Sequence, residues 1–436
     1  MRLLIILTLG CAALAGMALR IYAEDDNEFK FEESEVEKKP FSIGGYVELF
    51  PSLYIADLKS ALFRLKYYQN NPGSPYADAY LRLQPELTFE KGIFKAFARA
   101  YEAFGYSNRR WPFDLRLYEG YASLKPNQHV VIDAGKKTLK WGKGYAWNPV
   151  AFVDRPKNPD DPELAYEGYT VATADFIASF TGPLKTLSFT PVVVPVYKGI
   201  NENFGGAGHW YFAGKLYLLF FDTDIDFLFF TGLENNYRLG IDVSRNITTN
   251  LEVHGEFAYL PGITKLSLGT TGMARKRKIN AIAALGGIRY LTEIETTVII
   301  EYYHNASGMS VSEMRSYYFL INEAYYTYRA TLKELPFRAA EALTEGAYGR
   351  FTPMKNYLYL RVSQKEPFDI LYFTPALTVM FNIDDLSFSL TPELLYTGVN
   401  NLELRFRYAF LWGGRNSEFG EKPADHRWDL RARYYF

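Results

Sequence analysis

The chain has 436 residues, with 48 Lys and Arg against 49 Asp and Glu, for a formal net charge of −1. Such a balance, taken over the whole chain, argues against a polybasic grip on nucleic acid or on an anionic membrane surface. Aromatic residues make up 17%, with 35 Tyr and 33 Phe, yet past residue 23 no apolar run approaches the roughly 20 residues of a membrane helix.

The chain opens with a short positive region, Met1-Arg2, and a nearly all-apolar run from Leu3 to Leu19. Ile21-Tyr22-Ala23 then precedes the acidic Glu24-Asp25-Asp26. This pattern reads as a secretory signal over residues 1–23, cleaved after the small residue Ala23, rather than a spanning helix. Cys11 sits in mid-run after Thr8-Leu9-Gly10, without the Leu three residues back that a lipoprotein site would carry. It is the only cysteine, so the mature chain is expected to have no disulfide, no thiolate metal site and no c-type haem attachment. Residues 24–40 are charged, with few core-forming side chains, and are expected to be a flexible periplasmic lead. They are too few for a plug domain.

From Phe41 onward, strand candidates recur to the end of the chain, at residues 41–436. The first is Phe41–Leu53 and the last His426–Phe436; among those between are Leu251–Leu260, Ile279–Leu291, Glu293–His304 and Phe368–Asn382. The last strand shows the pattern best. Trp428, Leu430, Ala432, Tyr434 and Phe436 alternate with Arg427, Asp429, Arg431, Arg433 and Tyr435. Successive side chains of a strand point to opposite faces, so one face is apolar with aromatic ends and the other is charged. Leu402, Leu404, Phe406, Tyr408 and Phe410 alternate in the same way with Glu403, Arg405, Arg407 and Ala409. That is the profile of a wall with lipid on one side and water on the other. The expected fold is all-β: a transmembrane antiparallel up-and-down β-barrel of about 18 strands, or about 16, since bacterial barrels need an even number.

Short and long connections alternate, as expected of periplasmic turns and outer loops. The long connection after His304 contains Ser310 to Leu335, rich in helix formers and opened by a Ser310/Glu313 capping-box pattern, with Pro336 as a breaker and a second helix over Phe337 to Thr344. Residues 310–345 are therefore a helical extracellular loop, either a cap on the rim or a lid over the lumen.

Leu117 to Glu163 is the most motif-like stretch. Glu119-x-Tyr121 is followed by a strand ending in Gly135-Lys136, then Trp141-Gly142 and Asn148-Pro149. These residues resemble porin-like outer-membrane barrels, including the alginate-export and capsule-assembly type. The resemblance spans roughly forty residues of this stretch and implies a monomeric or loosely associated channel of about 16 to 18 strands; it supplies no substrate. Trp141 and Gly142 are read as a rim motif, the indole anchoring at the membrane interface and the glycine turning the chain into the loop. Pro149, Pro156, Pro159 and Pro162 stiffen that loop, which either folds inward as a constriction or stays outside.

Enzyme chemistry has little footing. The five histidines lie far apart and no metal-binding or triad motif contains them. His254 shares a face with Glu252 and Glu256, which suits a polar lumen wall better than a cation site. The run Asn158 to Asp161 lacks the glycine and spacing of a calcium loop. No cofactor is expected.

The expected function is an outer-membrane channel for passive or facilitated passage of small solutes, anionic or saccharide. The alternative is a non-conducting surface barrel that anchors or exports a polysaccharide, lipid or partner protein. The lumen is expected to carry a basic wall (Arg361, Arg405, Arg407, Arg427, Arg431, Arg433) facing an acidic one (Glu252, Glu256, Glu293, Glu295, Glu301), setting up a transverse field. Expected partners are outer-membrane lipid and the barrel-assembly machinery, for which the terminal Phe436 is the expected signal.

Overall fold

The computed structural model describes residues 40–108, 110–232, 237–269 and 274–436. The expected signal peptide, residues 24–39 of the lead, and residues 109, 233–236 and 270–273 lie outside the described residues. The first six strands are β1 (Phe41–Ala56), β2 (Tyr76–Lys91), β3 (Phe94–Tyr106), β4 (Phe113–Asn127), β5 (Val130–Lys137) and β6 (Tyr169–Ser179). Next come β7 (Leu184–Val196), β8 (His209–Phe220), β9 (Thr223–Thr231), β10 (Tyr237–Asn246), β11 (Leu251–Leu268) and β12 (Ala274–Leu291). The chain finishes with β13 (Thr296–Asn305), β14 (Asn356–Gln364), β15 (Phe373–Asn382), β16 (Ser387–Val399), β17 (Leu402–Trp412) and β18 (Ala424–Tyr435). Together they form one 18-stranded sheet in which each strand pairs antiparallel with its sequence neighbours, and β1 pairs with β18 to close it. The expected closed barrel is therefore the observed fold.

The wall is inside-out relative to a water-soluble protein. On β17 and β18 Phe406 and Leu430 are exposed, while Arg407, Asp429 and Arg431 on the alternate positions are buried. On β10 Leu239 is 48% exposed and its inward neighbour across the alternation, Asp242, is 0% exposed. An outward apolar surface around an inward polar one is stable only with lipid outside, where a closed ladder leaves no unpaired edge.

Closure is fixed by register. Tyr46 faces Tyr435, Glu48 faces Arg433, and the ladder runs to Ala56 opposite Ala424. The backbone N–H of Phe436 adds a last bond to the Gly45 carbonyl at 3.1 Å. On the other side of β1, Gly45 has φ of 136°, and a Cβ there would lie 2.2 Å from the Gln84 carbonyl of β2, so the β1–β2 pairing at this height requires glycine.

Several boundaries differ from expectation, each for a local reason. The strand expected from Glu293 begins only at Thr296, because Thr292 to Glu295 form a turn with Glu295 at φ 61°. The strand expected from Phe368 begins at Phe373, because Phe368, Asp369 and Tyr372 all take positive φ in a turn opened by Pro367. The hairpin β11–β12 runs farther than expected: past a bulge between Leu260 and Ile263, pairing resumes and continues to Leu268 opposite Ala274. A short helix, α1 (Ala61–Tyr67), lies unforeseen in the first long connection, N-capped by Ser60 Oγ, which accepts from the Phe63 amide.

The helical loop is α2 (Val311–Thr331) followed by α3 (Leu335–Glu345). The capping box between Ser310 and Glu313 forms. Termination differs from the expected proline break. Leu332 ends α2 in a left-handed conformation, and Pro336 sits in the first turn of α3, where its missing N–H costs nothing. Tyr317, Tyr318 and Ile321 of α2 and Phe337 of α3 are fully buried in one apolar cluster with Leu285, Tyr357, Tyr359 and Met380 of the inner wall. The helices therefore pack into the mouth rather than resting on its rim.

Deleting Phe436 removes the final seam bond, about 1 kcal/mol, together with the ring that ends the outward row. The ratio of folded, heat-modifiable to unfolded protein in the membrane is expected to fall about fivefold, the change in that ratio to which about 1 kcal/mol corresponds, as read by semi-native gel electrophoresis.

Candidate functional site

The connection from Thr138 to Gly168, between β5 and β6, folds into the lumen. Its path follows from where its backbone amides are satisfied. Glu119 on β4 accepts from the Thr138 amide at 2.9 Å. Asp154, within the loop, accepts from Leu139 at 2.7 Å and Trp141 at 2.9 Å. Glu256 on β11 accepts from Lys143 at 2.6 Å and Gly144 at 2.7 Å through one oxygen, and from Val150 at 3.2 Å through the other. Glu301 on β13 accepts from Tyr145 and, at 2.8 Å, from Ala146, while His254 Nε2 lies 2.8 Å from the same carboxylate. Amides bonded to carboxylates are the stronger class of hydrogen bond, and a loop inside a barrel has few other partners.

Close approach requires small residues at the contact. Gly142 has φ of 94°, and a Cβ there would sit 2.8 Å from Glu256 Oε1. A Cβ on Gly144 would lie 2.3 Å from the Trp147 carbonyl. Gly142 thus does turn the chain, but Trp141 is not an interfacial anchor. It is 3% exposed, in an interior cluster with Val150, Phe152 and Val153 of the loop and Val192, Val194, Leu228 and Phe230 of the wall. The reason is the inward turn itself, which carries the indole away from lipid. Trp147 stacks on Tyr303 with centroids 5.1 Å apart, joining the loop to the helical cluster.

The far end of the loop crosses to the basic wall. Arg407 donates to the Asp160 carbonyl at 2.7 Å and to its carboxylate at 3.1 Å, and Arg427 reaches the other carboxylate oxygen at 2.7 Å. Arg431 donates to Asp161 at 2.6 Å, and Arg405 lies 3.8 Å from Glu163. Burial alone would raise the Asp160 carboxyl, but the Arg427 and Arg407 guanidiniums hold it well below the usual carboxylate range. Burial lowers Lys157, whose Nζ donates to the Gly144 carbonyl, against the pull of Glu256 and Glu301.

The wall adds its own carboxylates. Glu48, 1% exposed, takes Arg82 at 2.8 Å, Arg433 at 2.6 Å and Arg431 at 3.3 Å. Glu393 takes Arg361 at 2.9 Å, Arg407 at 3.6 Å and Arg405 at 3.7 Å. Asp429 meets Arg427 at 2.8 Å, and Glu403 meets Arg405 at 3.3 Å. Arg361, Arg405, Arg407, Arg427, Arg431 and Arg433 are thus gathered on one inner wall, and every one has an acidic partner.

The opposing acids do not form a matching wall. Glu256 and Glu301 are occupied by loop amides. Glu252 is near the short-turn end, where Ser244 Oγ donates to it at 3.1 Å. Glu293 and Glu295 lie in the exposed β12–β13 turn rather than in the lumen, Glu295 beside Lys365 at 3.4 Å. The two-fold period gives a residue's face but not whether the strand still runs at that height. A different acidic pair lies on this side. Asp226 and Asp242, directly opposite on β9 and β10 and both buried, face Lys143 of the loop, whose Nζ is 3.1 Å from Asp226. Sequence reading passed over Glu48, Glu393, Asp160 and Asp161 as site residues. The adjacent Asp160-Asp161 in a proline-rich loop opposite a surplus of inward arginines was the available signal.

Among the described residues no group of three or more His, Cys, Asp and Glu side chains is placed to hold a metal ion. No family model matches the chain, and no curated protein matches it. Among solved structures it is similar to Acinetobacter baumannii OccAB1, at 9% identity and TM-score 0.51 over 90% of this chain and 96% of that one. Pseudomonas aeruginosa OccK9 (OpdG) aligns at 10% identity and TM-score 0.51 over 91% and 98%, and OccK5 (OpdH) at 12% and 0.50 over 90% and 98%. These likenesses show the fold, that of outer-membrane porins.

Two expectations follow. Replacing both Glu256 and Glu301 with Ala leaves the amides of Lys143, Gly144, Tyr145, Ala146 and Val150 without their acceptors. Each bond to a charged group contributes about 1.5 to 3 kcal/mol, so protection of these amides against hydrogen exchange should fall tenfold or more. The second concerns Glu418, in the loop before β18, which accepts from Tyr357 at 2.6 Å and Asn382 at 2.7 Å. Burial pushes its carboxyl up to about 7 despite Lys422 and these bonds. With the folded value above the unfolded one, its contribution to stability is full below the unfolded value of about 4.3 and is lost as pH rises through the folded value. Protection of the Glu418 and Phe419 amides, corrected for intrinsic exchange, should drop between pH 5 and 8 in the natural protein and stay level in Glu418→Gln.

Proposed function

We propose that the protein is an outer-membrane channel for passive or facilitated passage of small solutes, anionic or saccharide, whose route is set by the inward loop and the arginine wall. The observation that carries this reading is the contact line between Asp160, Asp161 and Glu163 and that wall. On the long-loop side a cavity of about 350 Å³ opens, lined by Tyr54, Lys66, Arg350, Phe419, Lys422 and Arg427. A second, much smaller cavity of about 10 Å³ lies at the contact line itself, between Tyr145, Asp161, Arg361 and Arg405. A cationic vestibule above a narrow gate of exchangeable ion pairs favours a solute whose own acceptors can replace the loop carboxylates on planar guanidiniums. Assembly through a machinery that reads Phe436, and delivery by the signal peptide over residues 1–23, complete the reading.

The tightness of the gate and the helices in the mouth favour a second reading, a barrel of the alginate-export or capsule-assembly type that holds or hands on a polysaccharide, lipid or protein without conducting alone. Single-channel recording of the refolded protein separates the two, since the second predicts no conductance.

On the channel reading, Asp160→Asn with Asp161→Asn removes two negative charges and leaves Arg407, Arg427 and Arg431 with only their wall partners Glu393, Asp429 and Glu48. Anion over cation permeability, from reversal potentials in a salt gradient, should rise about threefold or more. The shift should shrink near 1 M salt, where the screening length is about 3 Å. Replacing Arg405, Arg407, Arg431 and Arg433 by Gln should move selectivity the other way.

A further inference from the structure

The hairpin β11–β12 projects beyond its neighbours. Pairing of β10 with β11 stops at Leu239 opposite Tyr259, and pairing of β12 with β13 begins at Ala283 opposite Asn305. Leu260 to Leu268 and Ala274 to Ile282 therefore form a two-stranded arm at the long-loop end. Its β11 side is tied to the helical layer: Lys265 donates to the Gly308 carbonyl at 2.7 Å and to Glu313 at 3.0 Å, and the Leu268 amide donates to Tyr348 at 2.9 Å. Its β12 edge carries Arg275, Lys276, Arg277 and Lys278 in succession, all exposed. Among the described residues, Arg275, Lys276 and Arg277 form no ion pair. From Phe257 to Thr292 the chain contains no Asp or Glu, in a protein whose net charge is −1.

Position relative to lipid gives this run its meaning. The outward apolar row on β12 includes Tyr290, Ile288 and Ile282, all exposed, and ends at Asn280. Lys278, on that outward face, and Arg275, on the alternate face near the tip, stand four and seven residues past Ile282, about 13 to 23 Å along the strand at its usual rise. Strand tilt in such barrels reduces this to about 10 to 18 Å above the last apolar residue, at and just beyond a headgroup layer about 5 to 8 Å deep, a distance that long basic side chains span by turning back toward it. We propose that this basic arm binds the phosphate groups of outer-leaflet lipid headgroups, pinning the barrel's long-loop rim to the membrane surface. The inference rests on the outer-membrane location and not on the channel reading, so loss of conductance leaves it intact. Charges on an unpaired strand edge also guard against edge-to-edge pairing; that role alone is indifferent to lipid phosphate.

The test uses the full mature barrel in nanodiscs of neutral lipid doped with a diphosphorylated glycolipid or its dephosphorylated form, with lipid retention counted by native mass spectrometry. The phosphorylated lipid should be retained at least about tenfold better, with retention falling as salt rises, the behaviour expected of clustered basic residues at a lipid surface. Arg275→Gln/Lys276→Gln/Arg277→Gln/Lys278→Gln should abolish the difference, while Lys365→Gln at the opposite rim should not. Heat-modifiability reports whether the quadruple variant folds; if it does not, Lys276→Gln/Arg277→Gln should lower retention by an intermediate factor. Equal retention of both lipids, an unaltered preference in a folded variant, or displacement by millimolar inorganic phosphate would each overturn the proposal. So would binding of the arm to a soluble polyanion in preference to the lipid.

Discussion

The organising interaction is a carboxylate on the inner wall accepting from a backbone amide of the loop. Glu256 and Glu301 are both buried, and a buried carboxylate without partners is costly. The amides from Lys143 to Val150 are equally costly if left bare inside the barrel. Each set resolves the other. The arrangement needs the chain within hydrogen-bond reach of the wall, which is why glycine stands at 142 and 144, where side chains would strike Glu256 or Trp147. His254 Nε2 then meets the same Glu301 oxygen, Oε1, that accepts from the Tyr145 amide, and helps hold the carboxylate in place.

Once the loop is held at Glu256 and Glu301, the rest of the interior follows. Its apolar turn, Val150 to Val153, covers the inward valines of β7 and the aromatics of β8 and β9, making a dry core inside the barrel. Trp147 links that core to the aromatic layer under α2 and α3. The stiff segment beyond, with Pro159 and Pro162 flanking the acids, delivers Asp160 and Asp161 to the arginines. The lumen is thus filled from one side by packing and bounded on the other by ion pairs. Buried ion pairs specify geometry more reliably than they add stability, because desolvation offsets much of their attraction. Here they fix where the loop ends.

How much of this was legible depended on the range of the interaction. Alternation on His426–Phe436 and Leu402–Trp412 is local, so the wall and its faces could be read directly and the strand count to within two. The capping box at Ser310 is local too. The loop's destination is not: Asp160 and Arg427 are 267 residues apart, and Glu256 lies 112 residues from Gly144. Trp141 beside glycine fits a rim anchor until the chain's direction is known, and Glu293 and Glu295 fit a lumen wall until the turn that contains them is seen. Helix α1, at seven residues, is too short for periodicity to stand out, and only its Ser60 cap marks it.

The pairing of the arginine wall changes what its charge can do. A row of free guanidiniums would project a field across the lumen, felt over the roughly 8 to 10 Å screening length at physiological salt. With Glu48, Glu393 and Asp160 each taking two or more guanidiniums, the charges form compact clusters whose field decays within a few ångströms. Such a wall is nearly invisible to an ion at a distance. A solute senses it only on arriving at hydrogen-bond range, where its acceptors compete with those of the loop. On the channel reading, discrimination then depends on the shape and number of a solute's acceptors rather than on its net charge. The loop carboxylates are in effect the resident occupants of the site, and the wall carboxylates keep the guanidiniums aligned while those occupants are replaced.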